Sequence, residues 1–153
     1  MSCKYARVFA QVGPYLPLDK QFAAGNFILN AITNDDFLIK GDGTPHRSYM
    51  YGADLAIWRW AILIRGDSCL AYNVGSDESI SIKDLACKIA SIAGIKSSKI
   101  KLLNNPIAGK SHDRYVPNIS RAKNELSLKI TIPLEEAFCR TIDWYRPFIK
   151  GSR

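Results

Sequence analysis

The chain has 153 residues, of which 47% are apolar and 23% are charged, so its composition is typical of one globular domain and excludes a disordered chain. No run is long and apolar enough to cross a bilayer, and the first residues lack the apolar core of a signal peptide, which predicts a cytoplasmic protein. The net charge of +7 arises in residues 95–153, with 12 basic and 5 acidic residues, and suits an anionic partner: a phosphorylated ligand, a nucleic acid or an acidic protein.

Short strand patterns alternate with helix patterns along the chain. The strands are indicated by β-branched and aromatic residues, and the helices by the spacing of apolar residues. Gly and Pro indicate where these elements end. In chain order, the sequence predicts a strand at 5–10, a helix at 22–32, strands at 37–39 and 48–51, a helix at 54–65, a strand at 70–74, a helix at 82–92, a strand at 100–103, a loop at 104–117, and helices at 120–126 and 133–147.

The helix at 82–92 has the clearest signals. Ser81 and Asp84 have the spacing of a near-capping box, and Gly94 is a natural stop. Two further predictions depend on helical periodicity and on proline. Trp58 and Trp60 are interpreted as core residues of their apolar helix, and Pro147 is expected to end the last helix.

Four cysteines, Cys3, Cys69, Cys87 and Cys139, are far apart in the sequence and include no Cys-x-x-Cys pair. Metal sites and redox pairs need close spacing, so neither is predicted. Cys87 and Cys139 fall within amphipathic helix patterns. We therefore expect them to be buried free thiols, which fits a reducing cytoplasm.

The alternation of strands and helices predicts an α/β fold with a small mixed or parallel sheet. A few short strands suggest a lobe of a larger fold rather than a complete doubly wound domain. No Gly-x-Gly-x-x-Gly, phosphate-loop or Gly-x-Ser-x-Gly motif occurs, which disfavours a dinucleotide-binding domain, a nucleoside triphosphatase and a hydrolase. His46 and His112 lie far apart without metal-ligand spacing, and His112 with Asp113 is interpreted as surface.

Three polar residues follow turns or strands, where ligands gather in α/β folds. Arg47 comes just after the turn at 41–45, Asn73 lies at a strand end, and Arg114 lies in a loop. Two converging arginines would suit a diphosphate, because guanidinium groups bind paired anionic oxygens. The alternative, which the residues leave equally open, is that each arginine pairs with a carboxylate such as Asp42 or Asp113.

Six segments match a known family in order and spacing. They are Arg-Val-Phe-Ala-Gln-Val-Gly-Pro at 7–14, Gly-Asn-Phe-Ile at 25–28, the stretch 39–56 with Gly-Asp-Gly and Arg47, Tyr-Asn-Val-Gly at 72–75, Asn-Ile-Ser-Arg-Ala-Lys at 118–123, and Leu-Glu-Glu-Ala at 134–137. They resemble the C-terminal half of NAD(P)-dependent nucleotide-sugar epimerases and dehydratases, which are extended short-chain dehydrogenases/reductases. The resemblance implies the substrate-binding lobe of an extended Rossmann-type dehydrogenase.

The resemblance also implies roles for individual residues. Arg47 and Arg114 would hold the diphosphate of a nucleoside-diphosphate sugar, and Asn26 would contact its phosphate or sugar. Asn73 would contact the nucleotide, and the strand that includes Ile39 would pass beside the base. Gly13 and Pro14 would border the nicotinamide of NAD or NADP.

The main cofactor site and the catalytic Tyr-x-x-x-Lys pair of the family belong to a half that would precede Met1. The resemblance therefore predicts a single substrate-binding lobe over 1–153, with residues 1–15 resembling a late Rossmann strand and loop. Such a lobe would be inactive alone, as a truncated or split enzyme, and its partner would be an NAD-binding chain or a second copy. Within the lobe, Ala10, Val12 and Gly52 replace the family's usual Asn, Tyr and Val.

A different class of function remains as an alternative. The basic C-terminal half could serve a non-catalytic adaptor or a nucleic-acid-binding domain. No nucleic-acid recognition motif is present, and the basic residues are not interleaved with surface aromatics, so nucleic acid is the less favoured partner.

Overall fold

The computed structural model describes residues 2–105 and 113–150. In chain order its elements are β1 (Tyr5–Val8), β2 (Gln11–Val12), α1 (Ala23–Thr33), β3 (Phe37–Ile39), β4 (His46–Arg47), β5 (Met50–Tyr51), α2 (Gly52–Arg65), β6 (Ala71–Val74), β7 (Ile80–Ser81), α3 (Ile82–Ile92), a 3-10 turn (Ser97–Lys99), β8 (Ile100–Leu102), β9 (Arg114–Tyr115), α4 (Ser120–Leu126) and α5 (Leu134–Lys150). His112 lies outside the described residues.

Most strand pairs are parallel and join segments that are distant in sequence. β1 pairs with β6, β2 with β5 and β3 with β8, each as a two-stranded parallel sheet. β4 lies at the centre of a three-stranded sheet, antiparallel to β7 and parallel to β9. The predicted fold class, α/β with small mixed and parallel sheets, is confirmed.

Two apolar clusters hold these elements together. The larger one packs α1, α3 and α5 around β3, and its aromatic contacts include Phe27 against Phe37 with ring centroids 5.7 Å apart. The smaller one packs α2 and α4 against β6, around the fully buried Trp58. The indole nitrogen of Trp58 donates to the carbonyl of Lys129 at 3.1 Å, so its polar group is satisfied inside the cluster.

The buried carboxylate of Asp54 ties the first turn of α2 to the segment before α5. It accepts hydrogen bonds from the Thr131 amide at 3.0 Å, the Thr131 hydroxyl at 2.5 Å and the Ile132 amide at 3.0 Å. The N-terminal end of the helix dipole also favours an anion at this position. Asp54 therefore joins the first turn of α2 to the segment that leads into α5.

The predicted helix starts and stops are confirmed where a side chain or glycine defines them. The Ser81 hydroxyl accepts from the Asp84 amide at 3.0 Å, and Gly94 has the left-handed φ of +71°. The prediction for Pro147 is wrong, because α5 continues through it to Lys150. The ring of Phe148 packs on Trp144 at 5.8 Å, which supports the turn that contains the proline.

Two burial predictions are wrong for the same geometric reason. Trp60 is 64% exposed although Trp58 is fully buried, and Cys87 is exposed although Leu85 and Ile89 are buried. Two residues along a helix are separated by about 200° of rotation, so neighbours at this spacing face opposite sides. Cys139 is half-buried rather than buried. In the parts of the chain that the structure describes, no helix combines the length and apolarity needed to cross a membrane.

Candidate functional site

Two adjoining cavities form one groove on the face where β4 meets α1. Their volumes are about 510 Å³ and about 390 Å³, and both are lined by Gln21, Ala23 and Ile82. Arg47 lines the larger cavity, whereas Asn26 lines the smaller one. We call the combined feature the Arg47 groove.

Arg47 is the principal charge in the larger cavity. Its Nη2 donates to a carboxylate oxygen of Asp113 at 2.7 Å, and its Nη1 donates to the His46 carbonyl at 2.8 Å. The Arg47 side chain is only 28% exposed, whereas that of Asp113 is 67% exposed. Arg47 thus pairs with a carboxylate, as the alternative interpretation expected, but this partner is accessible to solvent and can be displaced by a competing anion.

Phe9 and Tyr115 form an aromatic wall beside Arg47. β4 and β9 are parallel, and their register places Arg47 directly opposite Tyr115, so both side chains lie on the same face. The Tyr115 ring packs on Phe9 with centroids 4.8 Å apart and planes inclined by 31°. Sequence reasoning missed both aromatics, because β9 has two residues and was interpreted as part of a loop. Only the strand register, in which Tyr115 lies opposite Arg47, identifies these aromatics as part of the site, and the sequence does not reveal that register.

Tyr49 closes the floor of the larger cavity. The residue is buried, and desolvation raises the pKa of its hydroxyl to about 12, although the nearby charge of Arg47 acts in the opposite direction. At neutral pH the phenol therefore remains protonated. It can donate a hydrogen bond in the groove, but it is a poor proton acceptor there.

The N-terminal end of α1 opens into both cavities through Ala23. Phe22, the residue before the helix, provides no side-chain cap, and the first turn contains no acidic residue. Backbone amides at such an end are left for solvent or a ligand, and the helix dipole favours an anion there. A helix end that favours an anion thus adjoins the cavity that contains Arg47.

The smaller cavity provides a more polar environment. Asn26 on α1 and Ile39 on β3 line it, together with Lys40 and backbone around Gly41 and Gly43. Gly43 has a φ of +75°, in the left-handed region, so the turn after β3 needs this glycine. The structure therefore brings three of the residues predicted from sequence, Arg47, Asn26 and Ile39, to one groove.

The other predicted residues lie elsewhere. Arg114 is opposite His46 in the strand register, which places it on the sheet face away from Arg47, and its Nη1 donates to the Ser79 hydroxyl at 2.7 Å. The Asn73 amide donates to the Asn118 carbonyl at 2.8 Å. Gly13, with a φ of +141°, packs near Tyr51, and neither Gly13 nor Pro14 lines the groove.

A further cavity, of about 530 Å³, lies on another surface, beside the loop after α4. It contains Asp77 and Lys123, whose charged groups pair with each other at 2.6 Å. None of the residues predicted from sequence lines it. We therefore take the Arg47 groove as the candidate site.

Comparison with known proteins supports a relationship at the sequence level. No protein-family model matches the chain. UDP-glucuronic acid decarboxylase 1 of Xenopus tropicalis is 29% identical over 143 residues, which are 94% of this chain and 33% of the relative. dTDP-D-glucose 4,6-dehydratase of Mus musculus is 26% identical over 111 residues, which are 71% of this chain and 31% of the relative. The chain thus spans about a third of the length of the curated relatives it matches.

Solved structures share the fold. A UDP-glucose 4-epimerase of Thermotoga maritima, solved with UDP-glucose, has a TM-score of 0.84 at 19% identity and is matched over 97% of this chain and 47% of its own. A UDP-glucuronic acid 4-epimerase of Bacillus cereus, solved with NAD, has a TM-score of 0.77 at 25% identity over 97% of this chain and 44% of its own. The chain is thus similar in sequence and fold to NAD-dependent nucleotide-sugar epimerases and dehydratases of the extended short-chain dehydrogenase/reductase type, and it matches a C-terminal part of them.

The residues present do not by themselves fit a dinucleotide. The 153-residue sequence contains no Gly-x-Gly-x-x-Gly to hold a pyrophosphate at a helix end. Gly13 and Pro14 could border a nicotinamide, as the resemblance implies, but they provide no phosphate contact of this kind. We therefore assign no cofactor step to these residues.

Proposed function

We propose that the Arg47 groove binds a nucleoside-diphosphate sugar, and that residues 1–153 are the nucleotide-sugar-binding part of an NAD(P)-dependent epimerase or dehydratase. One observation carries the proposal: a half-buried arginine and an uncapped helix end adjoin the same elongated groove. Such a groove would recognise a ligand that has paired anionic groups in its middle and a less charged moiety at each end.

The diphosphate would lie between Arg47 and the N-terminal end of α1. The guanidinium group would exchange the exposed carboxylate of Asp113 for phosphate oxygens, and amides of the first helical turn would bind the same anion. Asn26, one turn further along α1, would donate to a phosphate or sugar oxygen. Arg114 would have to move from Ser79 to join this cluster.

The two ends of the groove suit different moieties. The cavity around Arg47 is mostly apolar, with Phe9, Ala10 and Tyr49 in its wall, and would hold the sugar. The smaller cavity, with Ile39 and Lys40 beside the chain after β3, would hold the base. Ala10, which replaces the family's usual Asn, removes a polar group from the sugar end. The residues of the groove would thus bind the substrate, and hydride transfer would depend on other groups.

The adaptor or nucleic-acid alternative has weaker support in the structure. Basic residues of the C-terminal half pair with carboxylates on the surface, as in Lys101 with Asp36 and Lys123 with Asp77. Such pairs reduce the positive potential available for a polyanion. Nucleic-acid binding would show affinity that falls steeply with salt and no preference among nucleotides.

Calorimetric titration of the chain with nucleoside-diphosphate sugars that differ in base tests the proposal. We expect one base to be preferred and Arg47→Ala to weaken binding about 10- to 100-fold, the loss typical of a charged hydrogen-bonding group. Arg146→Ala is the matched control, because this arginine is exposed on α5 and pairs with Asp143. Absence of binding by the folded chain, or equal losses in both variants, would contradict the proposal.

A further inference from the structure

Two cysteines that are remote in sequence meet at the start of the β1–β6 pair. The Tyr5 amide donates to the Leu70 carbonyl at 3.1 Å, and one step earlier the Cys69 amide donates to the Cys3 carbonyl at 2.7 Å. Parallel pairing of residues near 5 with residues near 71 creates this contact, which no local spacing reveals. Both cysteines are exposed and reduced.

The backbone contact brings the two residues within bridging distance. A 2.7 Å hydrogen bond from the Cys69 amide to the Cys3 carbonyl limits their Cα atoms to about 6.5 Å apart, given standard bond lengths. Disulfides form at Cα separations of about 4.4–6.8 Å. Cys69 has a φ of +63° in the exposed turn that precedes β6, so its backbone is outside the regular sheet and the thiol is accessible.

We propose that Cys3 and Cys69 form a reversible disulfide, with a small-molecule disulfide such as oxidised glutathione as the oxidant. One thiolate attacks the sulfur–sulfur bond of the oxidant, which forms a mixed disulfide and releases one glutathione thiolate. The second thiolate attacks the protein sulfur of that mixed disulfide and expels the other glutathione. The two cysteines lose two protons and two electrons, and one oxidised glutathione becomes two reduced ones.

The bridge would connect the beginning of β1 to the turn before β6. The Arg47 groove lies beyond the opposite end of β1, where Phe9 and Ala10 line it. The proposed disulfide is therefore separate from the proposed substrate site. Its effect would be to hold the first residues of the chain on β6, which a backbone hydrogen bond alone holds weakly.

Incubation of the full chain with a series of reduced and oxidised glutathione mixtures tests the proposal. We expect two of the four thiols to be lost and the intact mass to fall by about 2 Da, as two hydrogens leave. Tryptic digestion should give peptide 1–4 linked to peptide 66–83, and the link should disappear on reduction. Cys3→Ser should instead retain one glutathionyl group on Cys69.

Cys87→Ser is the matched control, because Cys87 is also exposed but lies on α3 rather than at the start of the β1–β6 pair. This variant should form the 1–4 to 66–83 link as the parent chain does. The proposal is overturned if the parent chain carries separate glutathionyl groups on Cys3 and Cys69 under conditions in which it remains folded. It is equally overturned if Cys3 and Cys69 are oxidised no faster than Cys87.

Discussion

At the scale of single residues, Asp113 is the competitor for any anion that binds Arg47. Its carboxylate is exposed and lies 2.7 Å from the guanidinium group, so ligand binding must first displace it. We expect Asp113→Asn to tighten nucleotide-sugar binding by up to about fivefold, because an exposed ion pair contributes about 0–1 kcal/mol. Titration of both proteins measures the ratio of dissociation constants.

Asp143→Asn is the control for that experiment. Asp143 is exposed and pairs with Arg146 on α5, so its removal changes the net charge equally without freeing Arg47. If both variants tighten binding to the same extent, the effect reflects overall charge rather than competition. Weaker binding in Asp113→Asn would mean that Asp113 itself contacts the ligand.

Tyr49 makes the stability of the protein depend on pH in the alkaline range. Burial raises the pKa of its hydroxyl to about 12, whereas the pKa in an unfolded chain is about 10. The stability that the protonated hydroxyl contributes is therefore fully present below pH 10 and is lost as the pH rises towards 12. We expect the free energy of unfolding to fall by roughly 2–3 kcal/mol across this window.

Urea denaturation between pH 9 and pH 12 measures this loss. Other groups also titrate in the window, so the informative quantity is the difference between the parent chain and Tyr49→Phe, which lacks the hydroxyl. Tyr15→Phe, at a ring that is 85% exposed, is the control. An unchanged pH dependence in Tyr49→Phe would show that Tyr49 ionises as readily in the folded protein as in the unfolded chain.

At the scale of elements, Gly25 determines how closely α1 packs on the loop before it. A Cβ atom at Gly25 would lie 2.4 Å from the Pro17 carbonyl oxygen, a distance at which the backbone must shift. We expect Gly25→Ala to lower the free energy of unfolding by about 1–3 kcal/mol, as overpacking does. It should also weaken ligand binding, because Pro17 lines the Arg47 groove.

Gly52→Ala provides the matched comparison, since Gly52 also lies in the first turn of a helix. Its Cβ would meet only the Val12 carbonyl, at 3.8 Å, which is an ordinary van der Waals contact. This variant should be neutral or slightly stabilising, because alanine loses less backbone entropy on folding. Thermal or urea unfolding of the two variants distinguishes steric overlap from a general effect of removing glycine.

The helices were predictable because each has its own local pattern. The helix predicted at 22–32 is observed at Ala23–Thr33, and Ser81 begins α3 as its spacing indicated. The two-residue strands β4 and β9 were not predictable, because their identity depends on a partner about 70 positions away. The ion pair of Arg47 with Asp113 and the position of Arg47 opposite Tyr115 depend on that pairing. The meeting of Cys3 with Cys69 depends in the same way on the pairing of β1 with β6.

At the scale of the whole molecule, the outer face of α2 is an exposed apolar surface. Ile57, Trp60 and Ile64 recur at helical spacing and are 55%, 64% and 72% exposed, and Leu63 is 58% exposed beside them. Lys4 on the neighbouring segment donates to the Leu63 carbonyl at 2.7 Å. Contiguous apolar surface of this kind favours association, whereas single exposed apolar residues are ordinary.

We therefore expect the 153-residue chain to self-associate through α2 as its concentration rises. The exposed basic residues of α2, Arg59 and Arg65, would repel those of a second copy, so association should strengthen with salt as the charges are screened. Sedimentation velocity across protein and salt concentrations measures this. Trp60→Gln should shift the chain towards monomer, whereas Leu103→Gln, at a 59% exposed residue on another surface, should not. A chain that remains monomeric throughout, with equal behaviour of both variants, would show that this face does not drive association.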